Sequence, residues 1–435
     1  YYGFGERYNS INQIGNYLDC FVYNQYRDQG TKTYMPMPYY ITDNNYGLNI
    51  ETDFYTTFDL KKESEKSVKI MIEVEHENPE VSINLLTGSM KEMISQYIKQ
   101  TGEPALLPSW AMGPWMSSNN WDRDSVVREQ IDLTNELEIP ATVIVLEQWS
   151  DETTYYMFND AQYPLLEDGK VHSYEDMTFP EWGRWPNPKE LVEHCHDNGL
   201  KFILWQIPIC KYLNQQKHPL KDQDEAFMIN NQFVVQTEDG KPYRMPENWF
   251  TDSLLMDFTN EEAKKWWFDK RQYLIDIGVD GFKTDGGEMV YGKDVRFSDG
   301  STGNQMRNRY PQSYVDSYYQ FAQQNNGMTF SRSGYRGAHK SPAHWAGDER
   351  STFSAFKRQL IAGSNSGVSG IIFWGWDLAG FNGDIPSAEL YMRSSSVAAF
   401  CPIMQYHAES KGEFNQDRTP WNIAERTGQK EVIDV

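Results

Sequence analysis

Several features are scarce in this sequence. It has only 4 cysteines among 435 residues. Cys20, Cys195, Cys210 and Cys401 are scattered, with no C-x-x-C pair. That spacing indicates neither a disulfide framework nor a cysteine metal site, and it fits a reducing cytoplasm. Basic residues are outnumbered: 40 Lys and Arg against 62 Asp and Glu leave a formal charge of −22. A nucleic-acid partner calls for a basic footprint, and an anionic membrane surface attracts basic segments, so the balance argues against both. No apolar run reaches the roughly 18 residues needed to span a bilayer. No G-x-G-x-x-G follows a strand-like stretch, which argues against a dinucleotide fold. The chain begins at Tyr1 rather than Met, without a basic-then-apolar signal segment. The expectation is a portion of a longer protein, with its compartment open and the cytoplasm slightly favoured.

Aromatic residues are abundant: 14 Trp, 27 Tyr and 22 Phe within an apolar fraction of 39%. That content excludes a disordered chain. It suits a large core, and equally a site that stacks flat rings against sugars. At roughly 100–200 residues per domain, the length suggests two or three domains, or one large barrel with an appendage.

The first part of the chain reads as strand-rich. TKTYMPMPYYIT, YGLNIETDFYTTFDL and SVKIMIEVE carry period-two alternation, with turn signals at Asn44-Asn45 and Asn78-Pro79. An antiparallel sandwich over 1–105 is expected, ending in an amphipathic helix at 89–100. From about 106 to 435 strands and helices alternate. ATVIVLEQW, KFILWQIPI, VDGFKTD, GMTFSRS and GVSGIIFWGWD are strand candidates, separated by helices such as Asp122–Leu137, Glu261–Ile277, Tyr310–Gln324 and Arg350–Ala362. So many βαβ units predict an α/β fold, a (β/α)8 TIM-type barrel. Seven strands are countable, the last near 369–376, so the barrel is expected to be cut before its eighth strand. Two long insertions, 148–186 and 210–252, follow strands at the end where barrel enzymes build their sites.

Two stretches carry chemistry. In GVDGFKTDGGE an apolar strand ends in Asp285, followed by two glycines. Further on, HWAGDERS places Asp348 after another short apolar segment and Gly347. Either aspartate alone reads as a helix cap or an ion-pair partner. Two carboxylates at strand tips suit a retaining glycosidase, which needs a nucleophile and an acid/base about 5–5.5 Å apart.

GFKTDGGE together with SRSGYRGAHKSPAHWAGDERSTF resembles glycoside hydrolase family 31, the retaining α-glycosidases, with some transglycosylases and lyases. YYGFGERYNSINQIG, PSWAMGPWMSSNNW, SLLMDFTNEEAKKWW, FWGWDLAGF and AAFCPIMQYHAE extend the resemblance along nearly the whole chain. The resemblance implies Asp285 as nucleophile and Asp348 as general acid/base. It implies Arg332 and His407 as sugar-binding residues, Trp345 beside the acid/base and Trp205 on the pocket wall. Lys283 is expected to touch a hydroxyl or tune Asp285, and Glu288 to brace the loop. Glu147 stands where the family usually places an aspartate. One added methylene there leaves the −1 sugar (the ring whose bond is cleaved) open between glucose and galactose-type or N-acetylated sugars. No cofactor and no metal are implied.

The resulting expectation is an exo-acting retaining α-glycosidase, α-glucosidase-like, on short oligosaccharides. The alternatives are an α-transglycosylase or an α-galactosidase or α-N-acetylgalactosaminidase specificity. More distant ones are a non-catalytic carbohydrate-binding protein, or a metal-dependent barrel enzyme with Asp285 and Glu288 as oxygen ligands. Oligomeric state is left open.

Overall fold

Among the described residues of the first 88, alternating apolar residues give seven strands in two antiparallel sheets. One orders Tyr2–Gly5, Pro36–Ile41, Tyr46–Glu51 and Ser82–Thr87; the other orders Tyr17–Cys20, Thr56–Leu60 and Val68–Ile72. Phe4, Leu18, Cys20, Tyr40, Ile50, Phe58 and Leu60 are buried in one core drawn from both sheets. Asn45 makes the tight turn before Tyr46 at a φ of 60°, a left-handed conformation that Asn tolerates. A helix, Met90–Thr101, follows, with Ser89 and Glu92 forming a capping box. The computed structural model describes residues 1–76, 80–247, 249–409 and 415–435. The turn signal at Asn78-Pro79 lies outside them.

The barrel strands, in chain order, are Pro114–Ser117, Val143–Leu146, Lys201–Gln206, Gly281–Thr284, Met328–Ser331, Ala343–Trp345, Trp374–Gly375 and Met404–Tyr406. Each of the first six pairs in parallel with the next, and the eighth pairs in parallel with the first. A parallel bridge between Asp377 and Gln405 joins the seventh to the eighth and closes the ring. The count of seven strands is therefore corrected. The eighth is a three-residue segment after Pro402, too short to show alternation. Val143, Val145, Ile203, Met328 and Phe330 fill the barrel interior with Trp115 and Trp345, the packed core this fold requires.

Other boundaries shift for local reasons. The helix read as Glu261–Ile277 is two, Glu261–Asp269 and Gln272–Asp276. The break falls at Arg271, fully buried, with its guanidinium 3.8 Å from the Trp267 ring centroid and bonded to Gln206. The helix expected from Tyr310 begins at Gly303, capped by Thr302, and carries Pro311 inside it. The insertion 210–252 holds a helix, Pro219–Asn230. Among the described residues no helix is long and apolar enough to cross a membrane.

Candidate active site

Every barrel strand, or the loop that follows it, delivers a side chain to one cavity at the C-terminal end of the barrel, the seventh through Phe381. The cavity measures about 620 Å³. Asn119 follows the first strand, Glu147 the second, Trp205 lies in the third, and Lys283 and Asp285 come from the fourth. Arg332 follows the fifth strand, Asp348 the sixth and His407 the eighth; all of these line the cavity.

Asp285 is fixed from three sides. Its Oδ2 accepts from Trp205 Nε1 at 2.9 Å, and its Oδ1 lies 3.0 Å from Arg332 Nη1 and accepts from the Gly286 amide at 2.8 Å. Its own amide donates to Gln206 O, and the neighbouring Thr284 hydroxyl bonds Ser331 at 2.7 Å, tying the fourth strand to the third and fifth. The turn beyond requires glycine. Gly286 and Gly287 take φ values of 75° and 106°, and a Cβ on Gly287 would sit 2.5 Å from Ser333 Oγ.

Arg332 is the central cation. It is 1% exposed, and it forks onto Glu288 through Nε at 2.9 Å and Nη2 at 3.1 Å. Its Nη1 spans the two aspartates, 3.0 Å from Asp285 Oδ1 and 3.9 Å from Asp348 Oδ2. Those oxygens are therefore no farther apart than the sum of the two distances. This is compatible with the ~5–5.5 Å of retaining enzymes and short of most of the ~6.5–9.5 Å inverting range. Burial holds Asp348 protonated well above the usual carboxylate range; the nearby Arg332 opposes this, and Asp285 and Asp377 reinforce it. Gly347, at a φ of 70°, lets the chain reach Asp348 past Tyr34, whose ring would lie 2.3 Å from a Cβ there.

A second charged group forms the opposite wall. Lys283 Nζ lies 2.5 Å from Glu147 Oε1, and His407 Nε2 is 3.4 Å from the same oxygen. Burial alone would lower the Lys283 pKa, but Glu147, Asp377 and Asp285 raise it above its usual value, so the amine stays charged. Burial, and then Lys283, push His407 well below the usual histidine range, so its ring is neutral. The ring stacks on Phe381, with centroids 4.8 Å apart.

Trp345 does not reach the cavity. It lies beneath it, 1% exposed, with Lys283 Nζ 4.6 Å from its ring centroid. Glu288 likewise stays behind Arg332. Asp285 and Glu288 thus both face a guanidinium, and among the described residues no group of three or more His, Cys, Asp and Glu is placed to hold a metal ion.

The sequence reading missed Asp377, two residues past the seventh strand. It is fully buried, with Oδ1 accepting from Gln405 at 2.6 Å, and burial first, then nearby Glu147 and Asp285, raise its pKa to about 7. Its signal was present, because FWGWD ends an apolar strand in a carboxylate just as GFKTD does. Tyr26 and Trp249, likewise missed, line the cavity. They come from loops remote in sequence, and no local pattern marks them.

Comparison with known proteins agrees with this geometry. The family model for the TIM-barrel domain of glycosyl hydrolases family 31 matches residues 104–434. The chain is 44% identical to an isomaltosyltransferase of Sporosarcina globispora, over all of this chain and 40% of that protein. It is 37% identical to a 1,3-alpha-isomaltosidase of Kribbella flavida, over all of this chain and 61% of that protein. The structure of a cycloalternan-forming enzyme from Listeria monocytogenes, in complex with a pentasaccharide substrate, superposes with a TM-score of 0.97 at 42% identity, covering 99% of this chain and 41% of that one. The chain is thus shorter than each of these relatives, and from strand-tip carboxylates to overall likeness it belongs to glycosyl hydrolase family 31.

Proposed function

We propose that this chain is the catalytic barrel of a retaining enzyme that hydrolyses or transfers α-glucosyl units of oligosaccharides by double displacement. The observation that carries this reading is the single Arg332 nitrogen set between Asp285 and Asp348, one held by three donors and the other kept protonated.

In the first step Asp285 Oδ attacks the anomeric carbon. The glycosidic bond breaks, and Asp348 gives its proton to the leaving oxygen. The product is a β-linked glycosyl ester on Asp285 and a free sugar. In the second step Asp348, now ionised, takes a proton from water or from a sugar hydroxyl. That oxygen attacks the anomeric carbon and expels Asp285, restoring the α configuration. The guanidinium of Arg332 balances the charge that moves between the two carboxylates. Glu147, Lys283 and His407 offer acceptors and donors for the hydroxyls of the −1 sugar.

Glucose is the favoured −1 sugar. Two relatives are named for isomaltosyl chemistry, and a cycloalternan-degrading enzyme of Trueperella pyogenes, 39% identical, has been captured with a covalent intermediate. The test is release of p-nitrophenol from α-glucoside, α-galactoside, α-xyloside and α-N-acetylgalactosaminide, compared with isomaltose cleavage. Release from the glucoside that is abolished by Asp285→Asn supports the reading. Metal-dependent release, or none from any glycoside or from isomaltose, overturns it.

A further inference from the structure

Asp285 and Asp348 are held in different ways. Asp285 is fixed through its own side chain by three donors. Among the described residues the Asp348 carboxyl makes no hydrogen bond, and Arg332 Nη1 stands 3.9 Å from it. The direction in which Asp348 points is therefore set by the backbone that carries it. Upstream, that backbone is tied at Ala346, whose amide donates to Gly375 O at 3.1 Å and whose carbonyl accepts from the Tyr8 hydroxyl at 2.7 Å. Downstream, the tie is Glu349.

Glu349 is fully buried one peptide away from Asp348. Its two carboxylate oxygens take donors from two separate parts of the fold. Oε1 accepts from the Gln29 backbone amide, in the loop after the second sandwich strand, at 2.9 Å. Oε2 accepts from Arg358 Nη2, on the helix Phe353–Val368, at 2.9 Å. The backbone carbonyl of Glu349 makes a third tie. It accepts from the Phe381 amide at 2.9 Å, next to the ring that stacks on His407. A buried carboxylate is costly unless it is paired and hydrogen-bonded, and here both oxygens are. One residue thus joins the sandwich, a barrel helix and the loop beyond the seventh strand at a single point beside Asp348.

We propose that Glu349 is a positioning residue for the proton donor. It has no exposed surface to offer a substrate. It aims Asp348 by locking the adjoining backbone to Gln29, Arg358 and Phe381. The inference rests on the glycosidase reading above. A positioned general acid contributes about 10²–10⁴-fold. A mis-aimed one forfeits part of that factor, and only for bonds whose leaving oxygen needs a proton.

The experiment measures kcat/KM on phenyl α-glucoside and 4-nitrophenyl α-glucoside. The two are similar in shape, but phenolate is the poorer leaving group and needs the proton more. Glu349→Gln keeps the volume, while its amide oxygen accepts from only one of the two donors. Arg358→Met removes one donor from the other side and leaves Glu349 in place. The positioning role predicts that Glu349→Gln loses roughly tenfold more on the phenyl than on the 4-nitrophenyl glucoside. Arg358→Met shifts the ratio in the same direction, which keeps the test decisive where the first variant does not fold. Equal losses on the two glucosides in the folded variants, or no loss on either, overturn the role, since a merely structural defect moves both substrates together. If the unaltered protein releases neither phenol, or Asp348→Asn leaves the ratio unchanged, the glycosidase reading fails first, and the positioning role falls with it.

Discussion

Trp205 Nε1 donates to Asp285 Oδ2 at 2.9 Å, from the strand adjacent to the one that carries the aspartate. The bond aims one carboxylate oxygen while Arg332 and Gly286 hold the other. Trp205→Phe keeps most of the ring and removes the donor. We expect kcat/KM on an activated α-glucoside to fall by about ten- to a hundredfold, the worth of one hydrogen bond to a charged group, with little change in thermal midpoint. Steady-state kinetics and a melting curve on the same preparation read both quantities.

Asp348 must be protonated to act as acid, and burial raises its pKa. Activity on natural linkages therefore falls as pH rises through that raised value. Asp348→Asn should abolish this alkaline limb on oligosaccharides, while an α-glucosyl fluoride, whose departure needs no acid, still loads the enzyme. A pH profile of kcat/KM on the two substrate types decides it. An alkaline limb persisting in the variant on oligosaccharides assigns the acid elsewhere.

Glu6 is buried at the junction of sandwich and barrel and accepts from Trp374 Nε1 at 2.7 Å; burial raises its pKa to about 8. An acid whose folded pKa exceeds its unfolded value contributes stability that is complete below the unfolded pKa and is lost as pH rises through the folded one. Stability should thus decline between about pH 4.5 and pH 8, with Asp377 adding to the loss up to about pH 7. Glu6→Gln should flatten that slope, measurable as the change in urea midpoint between pH 5 and pH 8.

Glu288 holds Arg332 in a two-pronged pair, with neither side chain exposed by more than a few per cent. Glu288→Leu leaves a buried guanidinium short of one partner. Breaking such a pair costs about 3–5 kcal/mol, so chemical denaturation should show a loss of that order. Activity should fall as well, because Arg332 is then free to swing from Asp285.

The fold and the two strand-tip carboxylates proposed to react were legible because they sit in runs of sequence. An apolar strand that ends in Asp285 and a pair of glycines declares itself, and so does Asp348 after its glycine. The eighth strand, Met404–Tyr406, was not legible: three residues give no period, and its pairing with Pro114–Ser117 spans nearly the whole barrel. Lys283 and Glu147 were both picked out, yet their 2.5 Å contact is a product of barrel register alone, from strands separated by the third. Trp345 shows the converse. The family resemblance placed it beside the expected acid/base, but the strand turns it inward beneath Lys283.

The most direct test of the double displacement is to trap the glycosyl ester. A 5-fluoro-α-glucosyl fluoride should load the protein quickly and release slowly, and peptide mass analysis then locates the sugar. The account predicts one adduct, on the peptide that carries Asp285, absent in Asp285→Asn. Turnover of the reagent with the adduct on another residue, or with no adduct at all, would contradict it.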